Sequence, residues 1–217
     1  MAQILALGDC NTLGIGELEN NSYVERFAKL SEKSVQNCGF TMSSTKEMLY
    51  FVKKFLKDET EIITIQYGLV DSWKTFRYAP YVLYYPDNFL RKIARKIVKK
   101  YKKTARVLGL NRWLGEKSVV TLKTYKNNIL KVIQKAPNAK IFLIDTVPNM
   151  DESRNHAIRQ YNKILKEIAD THVNVYYIEV YELFLKHSEY YIEGTHLNSA
   201  GYDCMAETLF KQFQQID

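Results

Sequence analysis

Five apolar runs, at 3–7, 34–38, 61–67, 140–147 and 173–180, alternate with segments of helical spacing, and this rhythm constrains the chain more than any other feature. Short continuous apolar runs bounded by polar turns read as buried strands, and strands that alternate with helices build a parallel sheet. Helices are predicted over 22–33, with Val24, Phe27, Ala28 and Leu30 on one face, and over 45–57, with Met48, Leu49, Val52 and Phe55/Leu56 on one face. Segments 121–135, 152–170 and 199–214 supply three more, the first of them stopped by Pro137-Asn138. The expected fold class is α/β: a three-layer αβα sandwich around a five-stranded parallel sheet.

A chain of 217 residues with 46% hydrophobic content fits one large domain. A domain of that size buries roughly 70% of its unfolded surface, so neither a disulfide nor a metal is needed to hold it. Cys10, Cys38 and Cys204 are too few and too irregular for a disulfide framework or a zinc site, so free thiols in a reducing compartment are expected, with no cofactor and no metal. The first apolar run begins at Gln3, which leaves no room for a secretory leader, and no run reaches membrane-spanning length. These features read as a soluble cytoplasmic protein, with a peripheral position at the inner membrane as the variant.

The formal charge of +7 is concentrated, because 88–115 holds no acid and 91–106 carries nine Lys or Arg. This stretch lies within 72–118, too long for an ordinary strand-to-helix connection, which predicts an inserted helical segment or lid. The insert opens with Trp73, Phe76, Tyr78, Tyr81, Tyr84 and Tyr85. It continues into an amphipathic helix over 88–106 expected to expose Arg91, Arg95, Lys99, Lys102 and Arg106 and to cover Phe89, Ile93 and Ile97. The basic face fits an anionic membrane surface, a polyanionic glycan or plain solvation; a single helical stripe with no accompanying motif argues against nucleic acid. Oligomeric state is not legible.

Chemistry is concentrated near the two ends. Gly8-Asp9-Cys10-Asn11 follows the first apolar run, at the carboxyl end of a strand where open α/β sheets place their sites, and Glu193-Gly194-Thr195-His196-Leu197-Asn198 precedes the last helix. Together they look like a nucleophile and its base. A thiol is a few per cent ionised near neutral pH, and a histidine or a helix N-terminus raises that fraction. The plain alternative makes Cys10 a small buried residue of an inactive relative. His156, His172 and His187 have no comparable context, and Asp9 reads as a turn acid.

Gly8-Asp9-Cys10, Asn37-Cys38-Gly39, Gly68-Leu69-Val70-Asp71 and Glu193-Gly194-Thr195-His196 resemble, in order and spacing, the four blocks of the SGNH (GDSL-type) hydrolases. Tyr161-Asn162 and Gly201-Tyr202 extend the resemblance over nearly the whole chain, 1–217, as one SGNH-like domain carrying the insert at about 72–118. The resemblance implies a flavodoxin-like, SGNH-type fold and acyl-ester chemistry, with Cys10 as nucleophile, His196 as base and Glu193 orienting the histidine. It implies an oxyanion hole from the backbone amides of Cys10, Met42 and Gly68. Four positions depart from the pattern: Cys10 stands for Ser, Glu193 for Asp, Val70 for the Asn that completes the oxyanion hole, and Met42 for a Gly. Since loss of one oxyanion donor costs about 10²–10³ in rate, Gln66 is the candidate replacement donor, with Arg77 beside it. Asn11, Arg77 and Tyr67 are the candidate substrate contacts.

Gln66-Tyr67-Gly68-Leu69-Val70-Asp71, followed by an Arg-bearing insert, resembles a subgroup associated with polysaccharide biosynthesis. The expected function is an acyl-ester hydrolase or acyltransferase acting on O-acyl groups of a carbohydrate, a surface polysaccharide or its precursor. Thioesters and lysophospholipids are the alternative substrates. The alternative of another class is a non-catalytic SGNH-fold binding or assembly protein that docks on an anionic partner or membrane.

Overall fold

The computed structural model describes residues 2–216. The elements, in order, are β1 (Ile4–Gly8), α1 (Cys10–Leu13), α2 (Tyr23–Leu30), β2 (Val35–Gly39), α3 (Thr45–Phe55), β3 (Ile62–Gln66), β4 (Lys74–Phe76), α4 (Phe89–Val107), α5 (Leu110–Leu114) and β5 (Glu116–Ser118). There follow α6 (Leu122–Lys135), β6 (Lys140–Ile144), α7 (Asn155–Ala169), β7 (Val175–Ile178), α8 (Tyr181–Leu185), β8 (Tyr191–Glu193), β9 (His196–Leu197) and α9 (Ser199–Ile216).

The five main strands pair in parallel in the order β2-β1-β3-β6-β7. Both faces of β1, β3 and β6 are buried, which explains why these strands are continuous apolar runs rather than alternating ones. One face packs on α2 and α9 through Phe27, Phe142, Tyr202 and Leu209; the other packs on α3, α6 and α7 through Met48, Ile129, Val132 and Leu165. These are the three layers expected. The helices start where their caps allow: Ser22 with Glu25, and Ser44 with Glu47, form capping boxes at α2 and α3. The order reverses at β1, so the carboxyl ends of β1, β2 and β3 open onto one crevice, the place where open α/β sheets bind ligands.

Between β3 and α6 the chain forms a small antiparallel pair, β4 with β5, and the helices α4 and α5. The root of this insert is Glu47 of α3, fully buried, which accepts hydrogen bonds from Ser44 Oγ (2.7 Å), Tyr81 OH (2.9 Å) and the Tyr84 amide (2.8 Å). Tyr85 stacks on Phe51, with ring centroids 4.3 Å apart. The aromatic stretch therefore ties the insert to the body.

The orientation of α4 differs from the sequence expectation. Phe89 (73% exposed), Ile93 (40%) and Ile97 (64%) are open, not covered, whereas Arg91, Arg95 and Lys102 are only partly exposed. The reason is the chain just before the helix, whose carbonyls need donors. Arg91 donates to the Pro86 carbonyl, and Arg95 donates to the Leu83 carbonyl, pairs with Asp87 and covers the Tyr84 ring. Those bonds turn the Arg91 side toward the body and leave the stripe of Leu90, Ile93, Ile97 and Tyr101 outside. Among the described residues no helix is long and apolar enough to cross a membrane.

Candidate active site

Gly8 closes β1 so tightly on α1 that a Cβ there would sit 1.9 Å from Thr12 Oγ1. This turn sets Cys10 at the first residue of α1, with Asp9 as the cap accepting the Asn11 amide at 3.1 Å. Cys10 is buried, in an apolar cluster with Leu69, Ile158 and Tyr181. Its thiol donates to Asp9 Oδ1 at 3.8 Å. Burial, and then the Asp9 charge, drive the thiol pKa far above its usual value, so in this arrangement the sulfur is protonated. Burial pushes Asp9 up to about 7.

The distant block is brought to this turn by one side chain. Asn11 donates from Nδ2 to the Thr195 carbonyl (2.7 Å), and its Oδ1 accepts the Leu197 amide (3.2 Å). Asn11 is buried, and both ends of its amide are engaged on the backbone either side of His196. The expectation that Asn11 contacts substrate is thereby corrected: it clamps β9 to α1. The β8–β9 hairpin turns through Gly194, at φ 54°, and pairs Glu193 with His196. Glu193 is exposed, and its Oε1 stands 3.7 Å from His196 Nδ1, an ion-pair separation rather than a hydrogen bond. Nδ1 is buried with no hydrogen-bond partner. Burial lowers the imidazole pKa more than Glu193 raises it, so His196 is a neutral base at pH 7. Among the described residues no hydrogen bond joins Cys10 Sγ to His196; the sulfur is turned to Asp9.

Cys10, Met42 and Gly68 stand just beyond β1, β2 and β3 at the carboxyl edge of the sheet. Their backbone amides have no acceptor in another described residue. Met42 has φ 64°, the left-handed region that favours glycine. That conformation fits the glycine role which the sequence resemblance assigns to this position. Gly68, at φ 144°, lies so close to Thr146 that a Cβ would meet its Oγ1 at 2.4 Å.

The other expected contacts lie elsewhere. Gln66 is buried, donating to the Asp145 carbonyl (3.3 Å) and accepting from Thr12 Oγ1 (3.5 Å), so it is no free oxyanion donor. Tyr67 is fully buried, its hydroxyl 3.2 Å from Ser43 Oγ, so it cannot face substrate. Arg77 is exposed beyond β4 and does not line the crevice cavity described below. Val70 is buried, with a side chain that donates nothing. Among the described residues no group of three or more His, Cys, Asp or Glu is placed to hold a metal.

Asp71, at the end of the third block, accepts from the Thr45 amide and hydroxyl and is pushed up to about 7 by burial. A buried acid that keeps its proton when folded but loses it near pH 4 when unfolded stabilises the fold below that range. Its contribution disappears as pH rises toward 7. Relative to Asp71→Asn, wild type should therefore lose about 2–3 kcal/mol of unfolding free energy between pH 5 and pH 8. Urea titrations at the two pH values measure this; parallel pH profiles would contradict it. Asp9 and Asp145, the latter pushed up to about 6, act in the same direction but are common to both proteins and cancel.

A three-layer α/β protein with a thiol, a neutral imidazole and free amides gathered at the carboxyl edge of its sheet belongs to the broad class of α/β acyl hydrolase folds. The chain is a member of the GDSL-like lipase/acylhydrolase family, whose model matches residues 6–204. Solved structures agree on the fold. A lipase/acylhydrolase from Enterococcus faecalis superposes with a TM-score of 0.68 at 16% identity, covering 99% of this chain and 96% of its own. A G-D-S-L family lipolytic protein from Veillonella parvula (TM-score 0.64, 16% identity) covers 97% of each chain. A catalytic mutant of Axe2, an acetylxylan esterase from Geobacillus stearothermophilus, gives 0.65 at 15% identity, covering 97% of this chain and 93% of its own. No curated protein matches the chain in sequence.

What sequence reasoning missed is the clamp and the resting partner of the thiol. Asn11 immediately follows Cys10, but nothing local shows that its amide spans 184–186 positions to Thr195 and Leu197.

Proposed function

We propose that this protein is an acyl-ester hydrolase or acyltransferase with a Cys10–His196–Glu193 triad, acting on O-acyl groups of a carbohydrate. The observation that carries the reading is the Asn11 clamp, which joins the cysteine turn to the histidine hairpin beside three unengaged amides. On substrate binding the thiol leaves Asp9 and passes its proton to His196 Nε2, Nδ1 being turned to Glu193. The sulfur attacks the ester carbonyl, and the oxyanion is held by the amides of Cys10, Met42 and Gly68. Collapse expels the alkoxide, which takes the proton from His196, and leaves a thioester. Water or a sugar hydroxyl, deprotonated by His196, then attacks the thioester and returns the thiol. The carbohydrate target is supported by the 66–71 block and by an acetylxylan esterase among the structural neighbours. A panel of acetylated sugars, simple acyl esters, thioesters and lysophospholipids tests it: turnover should be greatest on the sugars. Preference for thioesters or lysophospholipids would overturn the substrate assignment.

A second reading concerns location. The outward stripe on α4, together with Leu108 (65% exposed) and Trp113 (81%), is flanked by Lys92, Lys96, Lys100 and Lys103. A helix with exposed apolar and basic strips side by side lies in the interface of an anionic bilayer. We infer peripheral attachment there, with the protein sedimenting with phosphatidylglycerol vesicles and Trp113 emission shifting to the blue. Leu90→Ser with Ile97→Ser should reduce vesicle binding at least about tenfold, since each buried apolar side chain contributes about 1.5–3 kcal/mol. Equal binding by wild type and this double variant would contradict the attachment.

A further inference from the structure

Between α4 and the carboxyl edge of the sheet lies a cavity of about 730 Å³. Met42, whose amide is one of the three proposed to hold the oxyanion, lies in its lining together with Val70 of the same edge. Trp73, Val82, Tyr84, Val98 and Val119, from the insert and its root, supply much of the rest. A cavity of this size takes a ligand far larger than the two carbons of an acetyl group.

The side chains decide what that ligand can be. The lining holds no Ser, Thr, Asn, Gln, Asp or Glu, the residues that would bind the hydroxyls of a sugar. Tyr81, also on the wall, has its hydroxyl committed to Glu47 at 2.9 Å, and Arg95 is committed to Asp87 and the Leu83 carbonyl. Lys92, Lys96 and Lys99 line the α4 side and are exposed, and a lysine so placed lays its methylene stem on apolar surface while its ammonium stays in water. What faces the space is therefore mostly aliphatic and aromatic carbon. Ile93 belongs both to this lining and to the apolar stripe exposed on α4, so the cavity opens beside that stripe.

A second cavity, of about 560 Å³, shares Trp73 with the first and has the opposite chemistry, with Ser72, Lys74, Asp151, Ser153, Arg154 and His156 in its lining. Both border the turn after β3, yet only the apolar one includes the oxyanion positions Met42 and Val70. Of these two spaces, a hydrocarbon chain attached to the reacting carbonyl is accepted by one.

We propose that the cavity under α4 is an acyl-chain site: the substrate carries a medium-length linear acyl group, decanoyl rather than acetyl, with its carbonyl at Met42 and its chain along Tyr84, Val98 and Val119. The inference deepens the acyl-ester reading and rests on it, and it makes the insert the element that selects the acyl group.

Binding and turnover are read separately. In Cys10→Ala protein, calorimetry with hexyl, octyl and decyl glucoside, each below its micelle concentration, measures the cavity without chemistry. A methylene moved from water to an apolar site contributes about fourfold in affinity, so each two-carbon step should tighten binding at least about tenfold. In wild type, kcat/KM should climb in the same direction from p-nitrophenyl acetate through the hexanoate to the decanoate. Val98→Trp, at a half-buried position on the cavity wall, should erase the gain with chain length in both assays, whereas Leu90→Ser with Ile97→Ser, on the outer stripe, should keep it. Val119→Phe is the second filling variant if Val98→Trp fails to fold, and the glucoside series needs neither. A flat binding series would overturn the proposal, as would a gain that survives Val98→Trp and disappears with the outer stripe. Binding that tightens with chain length but no turnover of any ester would keep the hydrocarbon site and sink the acyl-ester reading; turnover indifferent to chain length would keep that reading and sink the acyl-chain site.

Discussion

Cys10→Ala should abolish ester turnover, with kcat/KM falling at least about 10³-fold, because a triad without its nucleophile retains only the contribution of binding and the oxyanion hole. The side chain is small and buried, and its removal leaves Asp9 capping α1, so circular dichroism should remain that of wild type. Cys10→Ser is the more informative partner. An alkoxide-type attack depends more heavily on oxyanion stabilisation than a thiolate attack, and Val70 contributes no donor, so Cys10→Ser should be slower than wild type. Cys10→Ser with Val70→Asn should recover part of the loss, up to the about 10²–10³ that one donor supplies. Equal residual activity in wild type and Cys10→Ala would remove Cys10 from the chemistry.

The second large effect is expected at Asn11. Asn11→Ala leaves the Thr195 carbonyl and the Leu197 amide unpaired in a buried setting, and each such loss costs about 1–3 kcal/mol. Unfolding free energy should therefore drop by about 2–4 kcal/mol, and kcat by about 10²-fold with KM little changed, because freeing the β8–β9 hairpin misplaces the base. Asn11→Asp retains an acceptor for Leu197 but sets a carboxylate against the Thr195 carbonyl, so it should be no better than Asn11→Ala. In the proposed mechanism Asn11 touches no substrate and acts through His196, as a positioning residue. A split in which KM rises and kcat holds would return it to substrate contact.

The strands and the main helices were legible because burial on both faces writes continuous apolar runs and burial on one face writes a 3.6-residue period. Ile62–Gln66 and Thr45–Phe55 are cases in point. The orientation of α4 was not. Its sequence carries a basic and an apolar strip, and either could face the body; the choice is made by the carbonyls of Leu83 and Pro86, which capture Arg95 and Arg91. The two blocks of the site were visible as motifs, whereas roles that depend on tertiary hydrogen bonds were not. Gln66 and Tyr67 read as site residues by adjacency to Gly68, yet strand geometry and packing send both into the core. The thiol was expected to be activated by its helix and by His196. Instead α1 has only four residues, the sulfur is buried, and its thiol donates to Asp9, an arrangement that sequence spacing does not encode.

The central claim is that the neutral thiol of Cys10 becomes the acyl carrier when an ester reaches His196. Acid-quenched mass spectrometry after mixing with p-nitrophenyl acetate tests it directly. The account predicts one acetyl group per chain on the peptide containing Cys10, released by neutral hydroxylamine as a thioester is, and formed more slowly in His196→Gln. Ester turnover with no acetyl group on Cys10, or thioester formation confined to Cys204, would contradict it.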